Sequence, residues 1–418
     1  GTGVDGDNCD ALWTGSGYKC QGGGAVTLNA TSGRENYIAN NGGNGLRVNS
    51  VGLVTLSNFH IENHPAYGID ISVPYYSAAP YPVGGVTITS TGGYWNQVHN
   101  NLAPDGRGIS IVTYGPVSLA RLDVYDNDQH GIYINNSSAA SAQPVTLTDV
   151  NVWRSNKDGG IYIESRGNVT LNGVTSSQNL HYNNPITLGD DVGSASGRQF
   201  GIGKIYFHFD ADEVQDISLM FHSNEFQGRM RLYDPWGIMV YDSEFATPSG
   251  GFLYDVLSSD ESGSYTLELA SANDLPYYYY METSGGSGSE THLYDPVTGI
   301  YINNTMNGGT GNVTLAKSTA NPHPELYGNS GNALEINTNG ALAISDLNVS
   351  HQGENGIAAL LNTAGKSAAL TRVNVNTTSG NGIYLNTQGA VTLTDVNIRR
   401  AGYYGLYVYT LGNITLTR

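Results

Sequence analysis

The sequence has few charged residues, almost no cysteine and no long apolar run. Only 13% of its 418 residues are charged, with 18 Lys and Arg against 36 Asp and Glu. So few basic side chains argue against a nucleic-acid partner. No run approaches the roughly 18 apolar residues of a membrane-spanning helix, so we expect no membrane span. Because Gly is abundant, at 55 residues, and the best helix formers are scarce, the composition favours a mostly β protein.

The two cysteines, Cys9 and Cys20, lie close together near the start of the sequence. Their spacing predicts one disulfide that closes a short loop; a pair of free thiols is the alternative. Structural disulfides form in oxidising compartments. We therefore expect an extracellular or cell-surface protein, with residues 1–23 forming an N-terminal loop or cap.

Acidic residues alternate with Gly and Asn around the first cysteine. Asp5, Asp7 and Asp10 provide carboxylate oxygens of the kind that calcium prefers. These three residues are a candidate Ca²⁺ site, and a solvated loop is the alternative, because no bidentate Glu follows at the required distance. The sequence indicates no other cofactor.

A short unit repeats along much of the chain. One phrase is Gly followed by an apolar–x–apolar triplet, as at Gly45, Gly68, Gly108, Gly131, Gly160, Gly382 and Gly405. A second triplet, often Val-Thr-Leu, usually follows. The modal spacing is 23 residues, as between Leu46 and Ile69. Each triplet is typical of a short half-buried strand. Three such strands between Gly and Asn turns predict one coil of a solenoid whose coils pair in parallel.

The triplet spacing and the Asn-Gly-Ile corners resemble the right-handed parallel β-helix of the pectate-lyase-like group. The resemblance covers about residues 24–182 and 310–418. It implies a parallel β-helix in two parts, 24–183 and 289–418. It implies no particular activity, because that fold is shared by lyases, hydrolases, adhesins and structural shafts.

The composition changes abruptly near residue 184. Seven of the eight Phe fall within 185–284, together with 16 acidic and 4 basic residues. Longer alternating segments there, starting at Lys204, Ile217, Met230 and Tyr265, predict antiparallel strands with one solvated face. We therefore expect an all-β chain in which an antiparallel, jelly-roll-like β-sandwich, residues 184–288, interrupts the β-helix.

The order of features in this insert resembles the bacterial pre-peptidase C-terminal β-sandwich. The matching segments are Tyr206 to Phe209, the hairpin from Leu232 to Gly237, and Gly263 to Tyr265. The resemblance implies an accessory module of secreted proteins, without catalytic machinery of its own.

The best local group of titratable residues is Asp123, Asp126, Asp128 and His130. Carboxylates on adjacent coils could bind Ca²⁺ or act as an acid–base pair, as sugar-active β-helices require. However, Asp and Asn are ordinary corner residues at this point of the repeat. We therefore favour a structural role, assign no catalytic residue and expect a protein that is not an enzyme.

Tyrosine runs and the last strand of the sequence suggest interfaces. Exposed Tyr supplies rigid, amphipathic contact area, and an apolar coil end tends to pair with another copy. In contrast, we expect Tyr133, Tyr162 and Tyr384 to stack as an outward ladder. The candidate interface residues are Tyr277, Tyr278, Tyr279, Tyr280, Tyr403, Tyr404, Ile414 and Leu416.

These features favour a non-enzymatic extracellular filament, sheath or adhesin subunit. Its expected partner is itself, because end-to-end stacking of coils is a head-to-tail contact that produces a homopolymer. The alternative is a secreted polysaccharide-active or carbohydrate-binding protein, with surface carbohydrate as its partner and the loops 72–84 and 92–107 walling a groove. Carboxylates that converge with Arg or His on one surface would favour this alternative.

Overall fold

The chain divides into two compact units. One comprises Gly1–Asn179 and Val297–Arg418, and the other Leu180–Pro296. The computed structural model describes the first unit at residues 12–13, 18–22, 24–30, 34–72, 84–101, 106–155, 159–179, 297–329, 331–378 and 380–418, and the second mainly at its strands. The described residues contain one 3₁₀ turn, Met306–Gly308, and no α-helix. None of their elements is a helix that could span a membrane.

The first unit is a parallel β-solenoid with one strand of each coil in a twelve-stranded sheet. Apart from the first two strands, which pair antiparallel, neighbours in this sheet are parallel. The strands are Leu12–Trp13, Tyr18–Gly22, Leu46–Ser50, Ile69–Ser72, Ile109–Val112, Ile132–Asn135, Ile161–Glu164, Ile300–Asn303, Leu334–Thr338, Ile357–Leu361, Ile383–Thr387 and Leu406–Thr410.

The second and third strands of each coil belong to a seventeen-stranded parallel sheet. In several coils the two run together as one longer strand. The strands are Val26–Leu28, Asn36–Ala39, Val54–Ser57, Phe59–Glu62, Val86–Thr89, Asn96–His99, Val117–Tyr125, Val145–Trp153, Val169–Asn172, Thr175–Ser177, Val313–Ala316, Glu325–Tyr327, Leu342–Gln352, Ala368–Thr378, Val391–Thr394, Asn397–Ala401 and Ile414–Thr417.

Inward apolar side chains form ladders along the solenoid. Ile69, Ile109, Ile132, Ile161 and Ile300 are stacked in register and are at most 1% exposed. Because a one-residue shift would turn every one of these side chains outward, their burial fixes the register of each coil. The structure confirms the predicted parallel solenoid with three short strands per coil.

Left-handed backbone conformations bend many of the coils at two points. One bend separates the second and third strands, and the other lies at the end of the third strand. We expected Asn and Gly here, which tolerate positive φ; Asp and Arg also occupy these positions. Residues at the first bend include Asn58, Arg121, Asp149, Gly173, Asp346, Arg372 and Asp395, and residues at the second include Asn40, Asn63, Asn100, Asp126, Arg154, Gln178 and Arg400.

The second unit contains two sheets, and the pairings between their described strands are antiparallel except for one. That exception joins Ile186–Thr187 to Lys204–Ala211. The five-stranded sheet has the order Ile186–Thr187, Lys204–Ala211, Gly263–Ser271, Gln227–Tyr233 and Met239–Ala246. The four-stranded sheet has the order Ser194–Gln199, Tyr277–Ser284, Asp216–Ser223 and Gly251–Ser258.

The predicted segments at Lys204, Ile217, Met230 and Tyr265 are all strands. The turn of the hairpin expected from Leu232 to Gly237 lies at 234–237, outside the described residues, between two strands that pair antiparallel. Face-to-face packing of the two sheets as a sandwich, and the pre-peptidase likeness, stay predictions.

Several sequence-based predictions concern residues that the structure does not describe. Cys9, Asp5, Asp7 and Asp10 lie outside the described residues, and Cys20 lies in a strand whose side chains are not described. The disulfide and the Ca²⁺ site therefore stay predictions.

Candidate functional site

Outward side chains of the third strands form one continuous surface before the insertion, which we call the third-strand face. Each strand contributes two outward positions, and the parallel register aligns them in two rows. The first row is Tyr37, His60, Gln97, Asp123, Asn151 and Thr175, and the second is Ala39, Glu62, His99, Tyr125, Trp153 and Ser177. The six strands extend about 24 Å along the solenoid at about 4.8 Å per strand spacing.

Fully buried side chains hold these outward residues in place. Ile61, Val98, Val124 and Val152 alternate with the second row and are 0% exposed. Because successive side chains of a strand point to opposite faces, burying these four residues forces their neighbours outward. The apolar core thus determines which side chains the third-strand face presents.

Aromatic rings contact one another along the face. The centroids of His99 and Tyr125 lie 4.4 Å apart, and those of Tyr125 and Trp153 lie 4.5 Å apart, with interplanar angles of 7° and 5°. His60 lies 5.0 Å from His99 and contacts the edge of Tyr37 at 5.2 Å. Since the strand spacing is close to a stacking distance, the parallel register itself builds this series.

Three carboxylates surround the centre of the aromatic series. Burial raises the pKa of Tyr125, and the negative charges of Asp126, Asp123 and Glu62 raise it further. Burial also raises the pKa values of Asp123 and Asp126. Arg154 opposes the shift at Asp126, because its Nη2 lies 2.7 Å from the carboxylate. The face therefore combines aromatic rings with groups that accept and donate hydrogen bonds.

A His–Glu–His cluster lies at one end of the same face. The two Nε2 atoms of His60 and His99 are 2.8 Å apart, and Glu62 Oε2 lies 3.1 Å from His99 Nε2 and 3.4 Å from His60 Nε2. The Tyr37 hydroxyl donates a hydrogen bond to Glu62 and is the main reason that the pKa of Glu62 is lowered. Burial lowers the pKa of His99. In the described part of the chain, this is the group that could hold a metal ion.

The acidic group predicted from the sequence is divided between two surfaces. Asp123 and Asp126 lie at the third-strand face, where Asp126 is a corner residue with φ 53°. The Asp128 backbone N–H donates hydrogen bonds to the backbone carbonyls of Asn101 and Gly106. His130 is buried beside the twelve-stranded sheet, where its ring lies 5.1 Å from that of Tyr162. Burial, with a smaller contribution from an arginine charge, lowers its pKa to about 3.

Tyrosines on the twelve-stranded sheet form the predicted ladder. Tyr133 stacks on Tyr162 at 5.3 Å, and Tyr162 stacks on Tyr301 at 4.7 Å. Tyr384 stacks on Tyr407 at 5.2 Å. These contacts lie within the sheet surface, so the ladder supports strand pairing.

Four of the candidate interface residues are exposed, namely Tyr403, Tyr404, Ile414 and Leu416. The run from Tyr277 to Tyr280 lies in the strand Tyr277–Ser284, whose side chains are not described. An interface role for all eight residues stays a prediction.

Sequence reasoning missed the His–Glu–His cluster and the stacking of Trp153 on Tyr125. His60 and His99 are 39 residues apart and become neighbours only through the register of adjacent coils. A signal was available: His60 and Glu62 alternate on one strand, and aligning the repeats places Tyr125 and Trp153 at one position of consecutive coils. Grouping titratable residues by their nearness in sequence does not reveal contacts between coils.

No protein-family model matches the sequence, and no curated protein sequence matches it. Similar solved structures include a cycloisomaltooligosaccharide glucanotransferase of Paenibacillus sp., with 12% identity, 48% of this chain and 35% of that chain covered, and a TM-score of 0.17. Tailspike protein 4 of bacteriophage CBA120 has 9% identity, with 56% and 52% covered and a TM-score of 0.18.

A third similar structure is the catalytic domain of a GH87 α-1,3-glucanase in complex with nigerose. Its identity is 11%, with 95% of this chain and 62% of that chain covered and a TM-score of 0.22. The chain thus spans less than two thirds of the length of each of the three. At these TM-scores the likenesses support no statement about the activity of this chain.

Proposed function

We propose that this protein is a carbohydrate-binding β-solenoid that holds an extended glycan along the third-strand face. The observation that carries the proposal is the aromatic series from Tyr37 to Trp153 with carboxylates beside it. Sugar rings combine apolar C–H faces with hydroxyl groups, so they are recognised by aromatic surfaces next to hydrogen-bonding side chains. This proposal corresponds to our alternative rather than to the filament that we favoured from the sequence.

The length of the face supports a polymeric ligand. Its six strands extend about 24 Å, and the same two outward positions recur on each of them. A glycan of several residues could therefore contact successive coils at a regular interval. Trp153 is half-buried and has Ser177, a small residue, at the next position of its row, which leaves room for a sugar ring beside the indole.

The charge of the face favours a neutral glycan. Glu62, Asp123 and Asp126 lie along it, and Arg154 is paired with Asp126. The whole chain has a formal net charge of −18, so uronic-acid polymers would be repelled at low salt. Carboxylates and amides suit the hydroxyl groups of a neutral sugar instead.

Affinity electrophoresis of the full chain against soluble polysaccharides tests the proposal. We expect retardation by at least one neutral glucan, and weaker or no retardation by polygalacturonate at the same concentration. Retardation by neutral glucan that persists when both Trp153 and Tyr125 are replaced by Ala would contradict binding at this face. So would failure to bind every neutral glycan in a broad panel.

Cleavage of the bound glycan is a second candidate function. Glycosidases that use two carboxyl groups need them on either side of the scissile bond, and the face presents Glu62, Asp123 and Asp126 around Tyr125. A reducing-end assay on the retarding glycan tests cleavage. New reducing ends that disappear in Asp123→Asn would support it, whereas binding without cleavage would leave a binding protein.

The other sequence-based expectations continue as proposals. Carbohydrate binding accords with an extracellular or cell-surface location, which the predicted Cys9–Cys20 disulfide also supports. Head-to-tail assembly through Ile414 and Leu416 is compatible with glycan binding, because these residues lie in the last strand and the third-strand face lies in coils before the insertion. Sedimentation of the full chain over a range of concentrations tests assembly.

A further inference from the structure

The His–Glu–His cluster is built from two neighbouring coils. His60 and Glu62 occupy alternate positions of the strand Phe59–Glu62, so both point outward. His99 lies on the next strand, Asn96–His99, directly opposite Glu62. The parallel register therefore places two imidazoles and a carboxylate side by side on one face.

Three ligand atoms of this cluster form a triangle. Its sides are 2.8 Å between the two histidine Nε2 atoms, 3.1 Å from Glu62 Oε2 to His99 Nε2, and 3.4 Å from Glu62 Oε2 to His60 Nε2. Zinc bonds of about 2.0–2.1 Å in tetrahedral geometry require ligand atoms about 3.3 Å apart. The two imidazoles need to separate by only about half an ångström for a cation to enter.

Neighbouring side chains hold the ligands in this arrangement. His99 is 7% exposed and lies between the rings of His60 and Tyr125, at 5.0 and 4.4 Å. Tyr37 donates a hydrogen bond to Glu62. Such partners orient metal ligands in proteins, and His60 Nδ1 also faces a second carboxylate, that of Glu35, at 3.9 Å.

The side facing solvent leaves space for a fourth ligand. The side chains of His60 and Glu62 are 21% and 17% exposed, and Tyr37 is 58% exposed. Among the described residues, the ion-pair partners of Glu62 are the two histidines, with no Lys or Arg in that set. A cation would therefore meet a carboxylate that no fixed positive charge neutralises.

We propose that His60, Glu62 and His99 form a binding site for Zn²⁺ on the solenoid surface. Two imidazole nitrogens and one carboxylate oxygen are a ligand set that suits zinc and other late first-row divalent ions. Ca²⁺ and Mg²⁺ prefer six or more oxygen ligands, so this site is distinct from the predicted calcium loop at Asp5, Asp7 and Asp10. The proposal does not depend on carbohydrate binding.

Calorimetric titration of the chelator-treated full chain with ZnCl₂, without glycan, tests the proposal. We expect one site of high affinity in the unmodified chain. His60→Ala and Glu62→Gln should each weaken it by at least about 100-fold, since loss of a residue that only hydrogen-bonds to a ligand already weakens metal sites by about 10–100-fold. His323→Ala, which removes an exposed histidine elsewhere, should leave the affinity unchanged.

A second readout separates metal binding from an ordinary hydrogen-bonded cluster. Co²⁺ in place of Zn²⁺ should give visible absorption bands of a tetrahedral nitrogen–oxygen site, and these should disappear in His60→Ala. Circular dichroism should show that the His60 and Glu62 variants keep the native β signal, since both side chains lie on the outward face of the sheet. The zinc proposal would be wrong if both variants kept the affinity of the unmodified chain, or if the unmodified chain bound no zinc. The three residues would then form a hydrogen-bonded cluster only.

Discussion

The third strands before the insertion and those after it have the same parallel strand arrangement but present different side chains to solvent. Before it, the outward rows contain His60, Glu62, His99, Tyr125 and Trp153. After it, one row is an asparagine ladder, in which Asn374 Nδ2 donates to Asn348 Oδ1 at 3.0 Å and Asn397 Nδ2 donates to Asn374 Oδ1 at 3.1 Å.

The buried side of the two regions is the same. Val124 and Val152 before the insertion, and Val349 and Val375 after it, are at most 1% exposed. The asparagine side chains of the ladder hydrogen-bond to one another. The third-strand face before the insertion instead directs rings and carboxylates toward solvent. The comparison teaches that the repeat specifies a scaffold, and that chemistry depends on which residues occupy its outward positions.

Among these predictions, truncation of a buried leucine should lower the free energy of unfolding the most, and by a similar amount in both regions. Leu119 and Leu370 are each 0% exposed, so Leu119→Ala and Leu370→Ala should each lower the free energy of unfolding by about 2–5 kcal/mol. Urea unfolding of the full chain, followed by circular dichroism, measures this. If either variant lost less than about 1 kcal/mol, the claim of equivalent cores would be wrong.

Acid should weaken the coils before the insertion through His130. Its pKa falls from 6.5 to about 3 on folding, mainly because of burial. The unfolded chain therefore binds more protons between these values, so this contribution to stability is present above pH 6.5 and is lost as the pH falls toward 3. The loss approaches about 1.4 kcal/mol per pH unit.

His130→Gln provides the control for that pH dependence. Urea midpoints at several pH values between 7 and 4 should fall less steeply in this variant than in the unmodified chain. Parallel curves would show that His130 is not the group that titrates on unfolding.

Substitutions in the third-strand face should change glycan affinity, whereas substitutions at outward positions of the third strands after the insertion should not. Trp153→Ala should weaken binding to the retarding neutral glycan by at least about tenfold, or about 1.4 kcal/mol, because it removes an aromatic contact surface. Asn374→Ala, at an outward position after the insertion, should leave the affinity unchanged. Affinity electrophoresis of both variants checks this, and equal losses would remove the proposed distinction.

Surface ion pairs should have the smallest effect. Arg372 donates to Asp346 at 2.6 and 2.8 Å after the insertion, and Arg154 lies 2.7 Å from Asp126 before it. Exposed pairs contribute little and are screened by salt. Arg372→Ala and Arg154→Ala should each shift Tm only slightly, and less at high salt; a shift as large as that of Leu119→Ala would refute this ranking.

The fold could be predicted further than the site. Triplets such as Ile132 to Ile134 indicate where each strand lies, which side chains point inward and how long the repeat is. They do so because burial requires apolar residues at the inward positions of every coil. The corner at Arg121 was harder to predict, since the stacking of coils imposes its positive φ on a residue that does not favour it.

The candidate site depends on contacts between coils. His60 meets His99 only once the residues between them are assigned to a coil with an inserted loop, and no local pattern marks that pairing. The group at Asp123 to His130 looked coherent in the sequence, but the bend at Asp126 places His130 against Tyr162 of the twelve-stranded sheet, away from Asp123. Function at outward positions leaves no periodic signal, because each coil can hold a different residue there.

Side-chain footprinting with a saturating neutral glycan tests the central claim most directly. Carbene labelling of the full chain, with and without glycan, compares the exposure of residues in both regions. We predict protection of Tyr37, Tyr125 and Trp153, with unchanged labelling of Tyr403 and Tyr404. Protection confined to Tyr403 and Tyr404, with Trp153 labelled equally in both samples, would contradict the assignment of function to the third-strand face.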